Sequence, residues 1–302
     1  MNGALRVDIA SNAPSLEARV SNQMVIDSIS RGGSRTVRRG LCFCLAALAA
    51  AGSLRAASAE TDGWQLLSGY LFRDAYDAFT RQPVSADRAR ALGEAASLLN
   101  HPPVTAGKIE RTEAQLRQLI AADGTDDTAM YARLLLARIV HLHRPAEMAE
   151  IETAYGAVIQ ANSSHPLAQV AASKLALVYL YQRPDLSVPQ RLAAAAELAP
   201  VAGAGFLPET ACAYYRALAG AALFYNVLDA QMLTWLQRAD AIGTKDVLVA
   251  SSLRIQLAEV ARALGRREEG LAAYHRFLES ILPTDNRFRT ARERMEELEA
   301  SP

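Results

Sequence analysis

The chain has 302 residues, 51% of them hydrophobic, 21% charged and 6% aromatic, with 32 basic against 32 acidic side chains. The apolar share excludes a disordered chain, and the charge balance excludes a global field that would select nucleic acid or an anionic membrane. About 59 residues are alanine against 17 glycines and 12 prolines, so helix is expected nearly throughout.

The first 59 residues carry seven arginines and three acids, and the rest of the chain is correspondingly acidic. Arg31, Arg35, Arg38 and Arg39 precede an apolar run from Leu41 to Ala51, and Ala57-Ser58-Ala59 places small side chains before Glu60. This is the order of a cleaved export signal: positive region, short apolar region, small-residue cleavage site. The uncharged stretch from Gly40 to Leu54 is 15 residues, short of the roughly 20 a membrane span needs. Residues 1–59 are therefore expected to be an N-terminal extension and export signal, the signal itself covering about 24–59, with Met1 or Met24 as the start. The mature chain, 60–302, is expected to be periplasmic or secreted and to keep no stable membrane span. Cys42 and Cys44 would leave with the signal, and the remaining Cys212 has no partner for a disulfide and is too few for a zinc site.

From Trp64 onward no alternating strand pattern occurs. Amphipathic stretches of 12–20 residues are separated by Pro, Gly, Asn and Asp at sites such as His101–Gly107, Asp123–Asp127, Asn162–Pro166, Pro200–Pro208 and Gly265–Arg266. Trp64–Arg81 reads as a short first hairpin with its turn near Phe72–Asp74. Asp126-Asp127 and Thr284-Asp285 offer capping carboxylates to the helices that follow. A Leu-small pair then recurs: Leu92-Gly93, Leu136-Ala137, Leu175-Ala176, Leu218-Ala219 and Leu257-Ala258. A small residue beside each leucine lets a second helix approach closely. Return helices carry Ala154, Val158, Ala161 and Pro166, and again Gly270, Tyr274, Phe277 and Pro283. The last helix, over 287–299, interleaves Arg287, Arg289, Arg292 and Arg294 with Glu293, Glu296, Glu297 and Glu299, the polar outer face of a terminal cap.

These spacings resemble the tetratricopeptide repeat, a helix–turn–helix unit with a small residue, an aromatic and a small residue on its second helix. Residues 250–283 match best, although Phe277 stands where a small residue is usual and Pro283 comes one position late. The resemblance covers roughly 64–283 and is degenerate in most units. It implies an all-α fold, a right-handed α-solenoid of about five to six helical hairpins with a C-terminal capping helix.

Catalytic spacing is absent from the pattern. His141 and His143 lie two apart and point to different helix faces, and His101, His165 and His275 have no second ligand four residues away. No GxSxG elbow or GxxxxGK loop occurs. The pairs Tyr179/Tyr181 and Tyr214/Tyr215 are expected to bury one ring each. No cofactor or metal is expected. The resemblance implies instead a non-catalytic interaction protein that binds a protein or peptide in the cell envelope, along the first helix of each unit. Equivalent positions on that face are Asp87, Arg90, Glu94 and Ser97, then Tyr131, Leu134, Arg138 and His141. The third unit gives Val170, Ser173, Leu177 and Leu180, the fourth Ala213, Arg216, Gly220 and Leu223, and the fifth Ser252, Ile255, Glu259 and Arg262. An apolar middle between arginines suits an extended segment with acidic flanks. Arg138, Arg216 and Arg262 are the orienting candidates, and Tyr131 and Leu177 the apolar anchors. The alternatives are a helical-array enzyme acting on envelope or extracellular polysaccharide, which needs converging carboxylates, and a small-ligand carrier with a dry central pocket.

Overall fold

The computed structural model describes residues 63–81, 87–144 and 148–300. The export segment expected at 24–59 lies outside the described residues. Every regular element among the described residues is helical. The chain falls into two compact units that divide between Gln115 and Leu116.

In the unit that ends at Gln115, α1 (63–68) turns into α2 (Phe72–Thr80). The turn comes at Gly69–Leu71 and not at Phe72–Asp74 as the sequence suggested. Leu71 N–H donates to the Leu66 carbonyl at 2.9 Å and Tyr70 N–H to that of Leu67 at 3.1 Å, with Tyr70 at φ 63°. That pair of bonds is a Schellman closure, with tyrosine in the left-handed position glycine usually takes. Asp87 caps α3 (Arg88–Asn100) by accepting from the N–H groups of Ala89 and Arg90. Helices α2 and α3 pack together, and Phe79 fills their centre with 1% of its surface exposed. A Cβ on Gly93 would come within 2.4 Å of the Phe79 ring, so the first small residue of the series has to be glycine. Helix α4 (Ala106–Ala122) starts in this unit, held to α3 by Arg111–Glu94 at 3.2 Å and by Gln115 donating to the Ala91 carbonyl at 3.0 Å.

The unit from Leu116 continues with α5 (Asp127–His143), α6 (Met148–Ala161), α7 (Pro166–Gln182), α8 (Val188–Ala196), α9 (Ala199–Ala202), α10 (Pro208–Phe224), α11 (Ala230–Ile242), α12 (Val247–Ala263), α13 (Arg267–Ser280) and α14 (Phe288–Ala300). Each helix packs on the next across a short connection, α5 on α6, α6 on α7, α10 on α11, α12 on α13, while α7 also touches α5 and α10. This is a succession of helical hairpins closed by a terminal helix. The Leu-small pairs fall on α3, α5, α7, α10 and α12, the outgoing helix of each hairpin. Ala137, Ala176, Ala219 and Ala258 are all at most 1% exposed.

The return helices share a second register, buried at i, i+4 and i+7: Thr112, Leu116 and Leu119 on α4; Ile151, Tyr155 and Val158 on α6; Met232, Leu236 and Ala239 on α11; Gly270, Tyr274 and Phe277 on α13. On α6 this displaces the sequence reading of Ala154, Val158 and Ala161, because Ala161 is exposed and Tyr155 is the buried aromatic. The third return is broken. Helix α8 ends at Ala196, and the chain resumes in α9 with Pro200 in its first turn, where a missing N–H costs nothing. One buried amide secures this loop. Gln169 Nε2 donates to the carbonyls of Ala202, Ala204 and Leu207 at 2.6–3.2 Å, and its Oε1 accepts from Leu207 N–H at 2.8 Å.

Side-chain caps open several of the helices. Asp126, Asp229 and Asp246 each accept from N–H groups of the turn they open. Before α7 the cap is a histidine: His165 Nδ1 accepts from Leu167 N–H at 3.1 Å, so the ring proton sits on Nε2 and is given to Asp127 at 3.2 Å. At the far end α14 buries Ala291, lays Leu298 against Gly270, and has its last carbonyls held by Arg267 at 2.9 Å. Its exposed pairs Arg292–Glu296 and Arg289–Glu293 sit at i,i+4, as a solvated cap requires.

Candidate partner-binding face

The outgoing helices α3, α5, α7, α10 and α12 carry the face read from the sequence, and the structure divides it unevenly. Through α7 much of it is closed. Arg90, Ser97, Leu134, Arg138, Val170, Ser173 and Leu180 are buried. Their polar groups are turned inward: Arg90 donates to the Phe79 carbonyl at 2.7 Å, Ser97 to that of Gly93 and Ser173 to that of Gln169. His141 Nδ1 lies 3.0 Å from the Tyr155 hydroxyl and Nε2 lies 3.1 Å from Gln182 Oε1. From α10 onward the face opens, with Arg216 and Ile255 half-buried and Gly220 and Leu223 exposed.

The five residues singled out are placed as follows. Tyr131 is half-buried on α5, where burial and then the Asp127 charge push its hydroxyl up to about 12. Leu177 is half-buried on α7. Arg138 is 6% exposed, so it is a core arginine and not a rim contact; burial lowers its pKa, partly opposed by Tyr155. Arg216 keeps a half-buried place on α10 near Cys212. Arg262 is committed to Glu259 at 3.1 Å.

Glu259 is the centre of that commitment. Its carboxylate also accepts from the Tyr274 hydroxyl at 2.6 Å and from Arg294 at 2.6 Å, joining α12, α13 and α14. Burial alone would raise the carboxyl; the Tyr274, Arg294 and Arg262 donors outweigh it and hold the group below its ordinary range. A nearby groove of about 270 Å³, lined by Gln237, Asp240, Leu257, Glu269 and Arg276, has its charges matched in the same way, Arg276 to Asp240 at 2.9 Å and Gln237 to Glu269 at 3.2 Å. Cys212 is 1% exposed with its thiol against the Ala239 carbonyl, and burial pushes the thiol up. Tyr214 and Tyr215 are both buried, where one outward ring was expected. Among the described residues no group of His, Cys, Asp and Glu could hold a metal ion, and no helix is long and apolar enough to cross a membrane.

One feature of this face escaped the sequence reading. Leu142, Tyr181 and Phe224 stand at the C-terminal ends of α5, α7 and α10, each six residues after the leucine of its Leu-small pair. They are 52%, 42% and 70% exposed. Leu223 and Leu228, close by in sequence, are 50% and 46% exposed, and the Tyr181 and Phe224 rings meet edge to face with centroids 6.3 Å apart. Arg191 lies over the Tyr225 ring beside them, 5.7 Å from its centroid. The repeated offset was present in the sequence, one position beyond the last residue considered.

No protein-family model matches the chain, and no curated protein does. Among solved structures it is similar to a tetratricopeptide repeat protein from Parabacteroides merdae, at 10% identity and a TM-score of 0.42, over 94% of this chain and 99% of that one. The helical-repeat character of the chain rests on its own two registers.

Proposed function

We propose that this chain is a non-catalytic interaction protein, exported to the cell envelope, that binds an extended segment of another protein along the open part of the outgoing-helix face. The observation that carries this is the set of exposed apolar side chains Leu142, Tyr181 and Phe224, at one register on the outgoing helices α5, α7 and α10, with Leu223 beside Phe224 in sequence. Large exposed apolar side chains that meet one another, as the Tyr181 and Phe224 rings do, are typical of interaction surface. Tyr131 and Leu177 would add apolar contacts, and Arg216 would orient an acidic flank through its guanidinium. Arg138 and Arg262 drop out of direct contact, the first by burial and the second by its bond to Glu259. Export rests on the Arg-rich, apolar and Ala-Ser-Ala segments before Glu60.

Two measurements test the two halves of this reading. Protein recovered from its native host should begin at Glu60 or within a few residues of it; a full-length product in the cytoplasm would remove export. A photo-crosslinking residue placed at Tyr181 or Phe224 should trap a discrete partner band that is absent when the same residue replaces Val247, which is 68% exposed at the start of α12. Equal trapping at all three positions would remove the face.

A further inference from the structure

The starts of α3, α5, α11 and α12 are capped by aspartates, and that of α7 by the ring of His165. The difference is chemical. A carboxyl group keeps an acceptor oxygen in either protonation state, whereas an imidazole has an acceptor nitrogen only while it is neutral. His165 uses both of its ring nitrogens: Nδ1 accepts from Leu167 N–H at 3.1 Å, and Nε2–H donates to Asp127 at 3.2 Å. Asp127 is the first residue of α5, so one neutral ring ties the starts of α5 and α7 together.

Leu167 N–H depends on that acceptor. Pro166 brings no N–H of its own, and those of Ala168 and Gln169 take the His165 carbonyl at 2.9 and 3.4 Å. Leu167 is 3% exposed, so water is no ready replacement for the ring. The charges around the ring come from one side. Helix α5 brings Asp127, Asp126, which caps its own helix, and Tyr131, whose hydroxyl feels the Asp127 charge. The end of α6 (Gln160 to Ser164), the α9–α10 loop (Ala202 to Pro208) and α7 itself as far as Ser173 carry no titratable side chain. Glu209, which follows that loop, is taken up by Lys245 N–H at 3.0 Å, and Glu197, after α8, acts on Tyr179 at the other end of α7.

Protonation puts a second N–H on Nδ1, pointing at that of Leu167, and sets a positive charge at the positive end of the α7 dipole. The charged ring cannot cap α7, but its Nε2–H can still serve Asp127. We propose that His165 is an acid-released clasp: the first turn of α7 is held while the ring is neutral and let go when the ring is charged. Asp127 sets how readily this happens, because its carboxylate favours the charged ring. The device does not depend on what the chain binds.

The test follows the full-length chain by NMR across the imidazole range, about pH 8 to 5. With ¹⁵N in the five histidines, the resonance missing from His165→Asn identifies His165, which should show the Nε2–H tautomer at the alkaline end. Protection of the Leu167 amide, its exchange relative to an unstructured chain at the same pH, should fall by about five- to tenfold on acidification, the scale of one lost cap. That fall should track the titration of the His165 ring. The Met232 amide, capped by Asp229 at 2.8 Å, should keep its protection. His165→Asn caps in either condition and should keep Leu167 protected throughout. Asp127→Asn should move the release to lower pH. An Nδ1–H tautomer, protection at Leu167 that is flat with pH, an equal loss at Met232, or the same loss in His165→Asn overturns the proposal. A release left unmoved by Asp127→Asn overturns the role given to Asp127.

Discussion

Lys174 and Glu259 show opposite ways of keeping a charge inside this chain. Burial first, and then Arg138, bring the Lys174 ammonium from 10.5 down to about 8. Between those values the unfolded chain binds more protons than the folded one, so stability rises with pH across that window. The full effect is about 3 kcal/mol by the conversion of pKa into free energy. Lys174→Met should therefore be more stable than wild type by about 1–3 kcal/mol at pH 7. Urea titrations should show that advantage shrinking toward pH 10; an advantage unchanged with pH would assign the effect to packing. Tyr131 works the other way at higher pH, since a hydroxyl raised to about 12 costs stability once the unfolded tyrosine ionises, but it is common to both chains and cancels. Glu259 has its charge matched by Tyr274, Arg294 and Arg262 and is held below its ordinary 4.5. Its contribution is present above that pH and lost as pH falls through the folded value. Glu259→Gln should cost about 1–3 kcal/mol at pH 7, the scale of hydrogen bonds to a charged group. The difference from wild type should close in acid, and a gap that persists there would mean that shape and not charge ties α12 to α14.

At the scale of helices, the outgoing register was legible because it uses the most economical signal in the chain, a leucine next to a residue too small to block a crossing. Ala176 is 1% exposed where α7 meets its neighbours, whereas Ala193 on α8 is exposed. Ala176→Leu should cost about 1–3 kcal/mol by overpacking. Ala193→Leu should stay within about 0.5 kcal/mol. Comparable losses in denaturant titration would mean the register is misplaced. The return register on α6 was read three residues out of place, since Ala154–Val158–Ala161 and Ile151–Tyr155–Val158 share both Val158 and the 4,3 spacing. Burying Tyr155 removes far more apolar surface than burying Ala154, and its hydroxyl finds His141, which no spacing rule encodes. Aspartate caps were readable for the same reason the leucine pairs were, a residue type with one strong local use. The His165 ring cap, the left-handed Tyr70 beside Gly69, and the Gln169 amide that fastens the α9–α10 loop were not, because each depends on a partner or a backbone angle outside its own sequence window.

For the molecule as a whole, the two registers specify how each helix meets the next, and what remains outward is what a partner can use. Polar groups of the face on α3 and α7 are spent on the chain's own carbonyls, His141 on α5 meets Tyr155 and Gln182, and Arg262 is spent on Glu259. The surface we propose for contact is therefore the α10 end of the face together with the exposed Leu142, Tyr181 and Phe224. Sequence spacing located the helices that bear this surface, but it could not tell a guanidinium that faces solvent from one that is buried, which is why Arg138 stood among the candidates. The most direct test of the account is the affinity of the crosslinked partner for Phe224→Ser compared with Val247→Ser, measured by calorimetry on chains of unchanged helicity. Phe224→Ser should weaken binding by about 1–3 kcal/mol, as loss of an exposed aromatic anchor does, with Val247→Ser indistinguishable from wild type. Undiminished affinity in Phe224→Ser, or a larger loss in Val247→Ser, would contradict it.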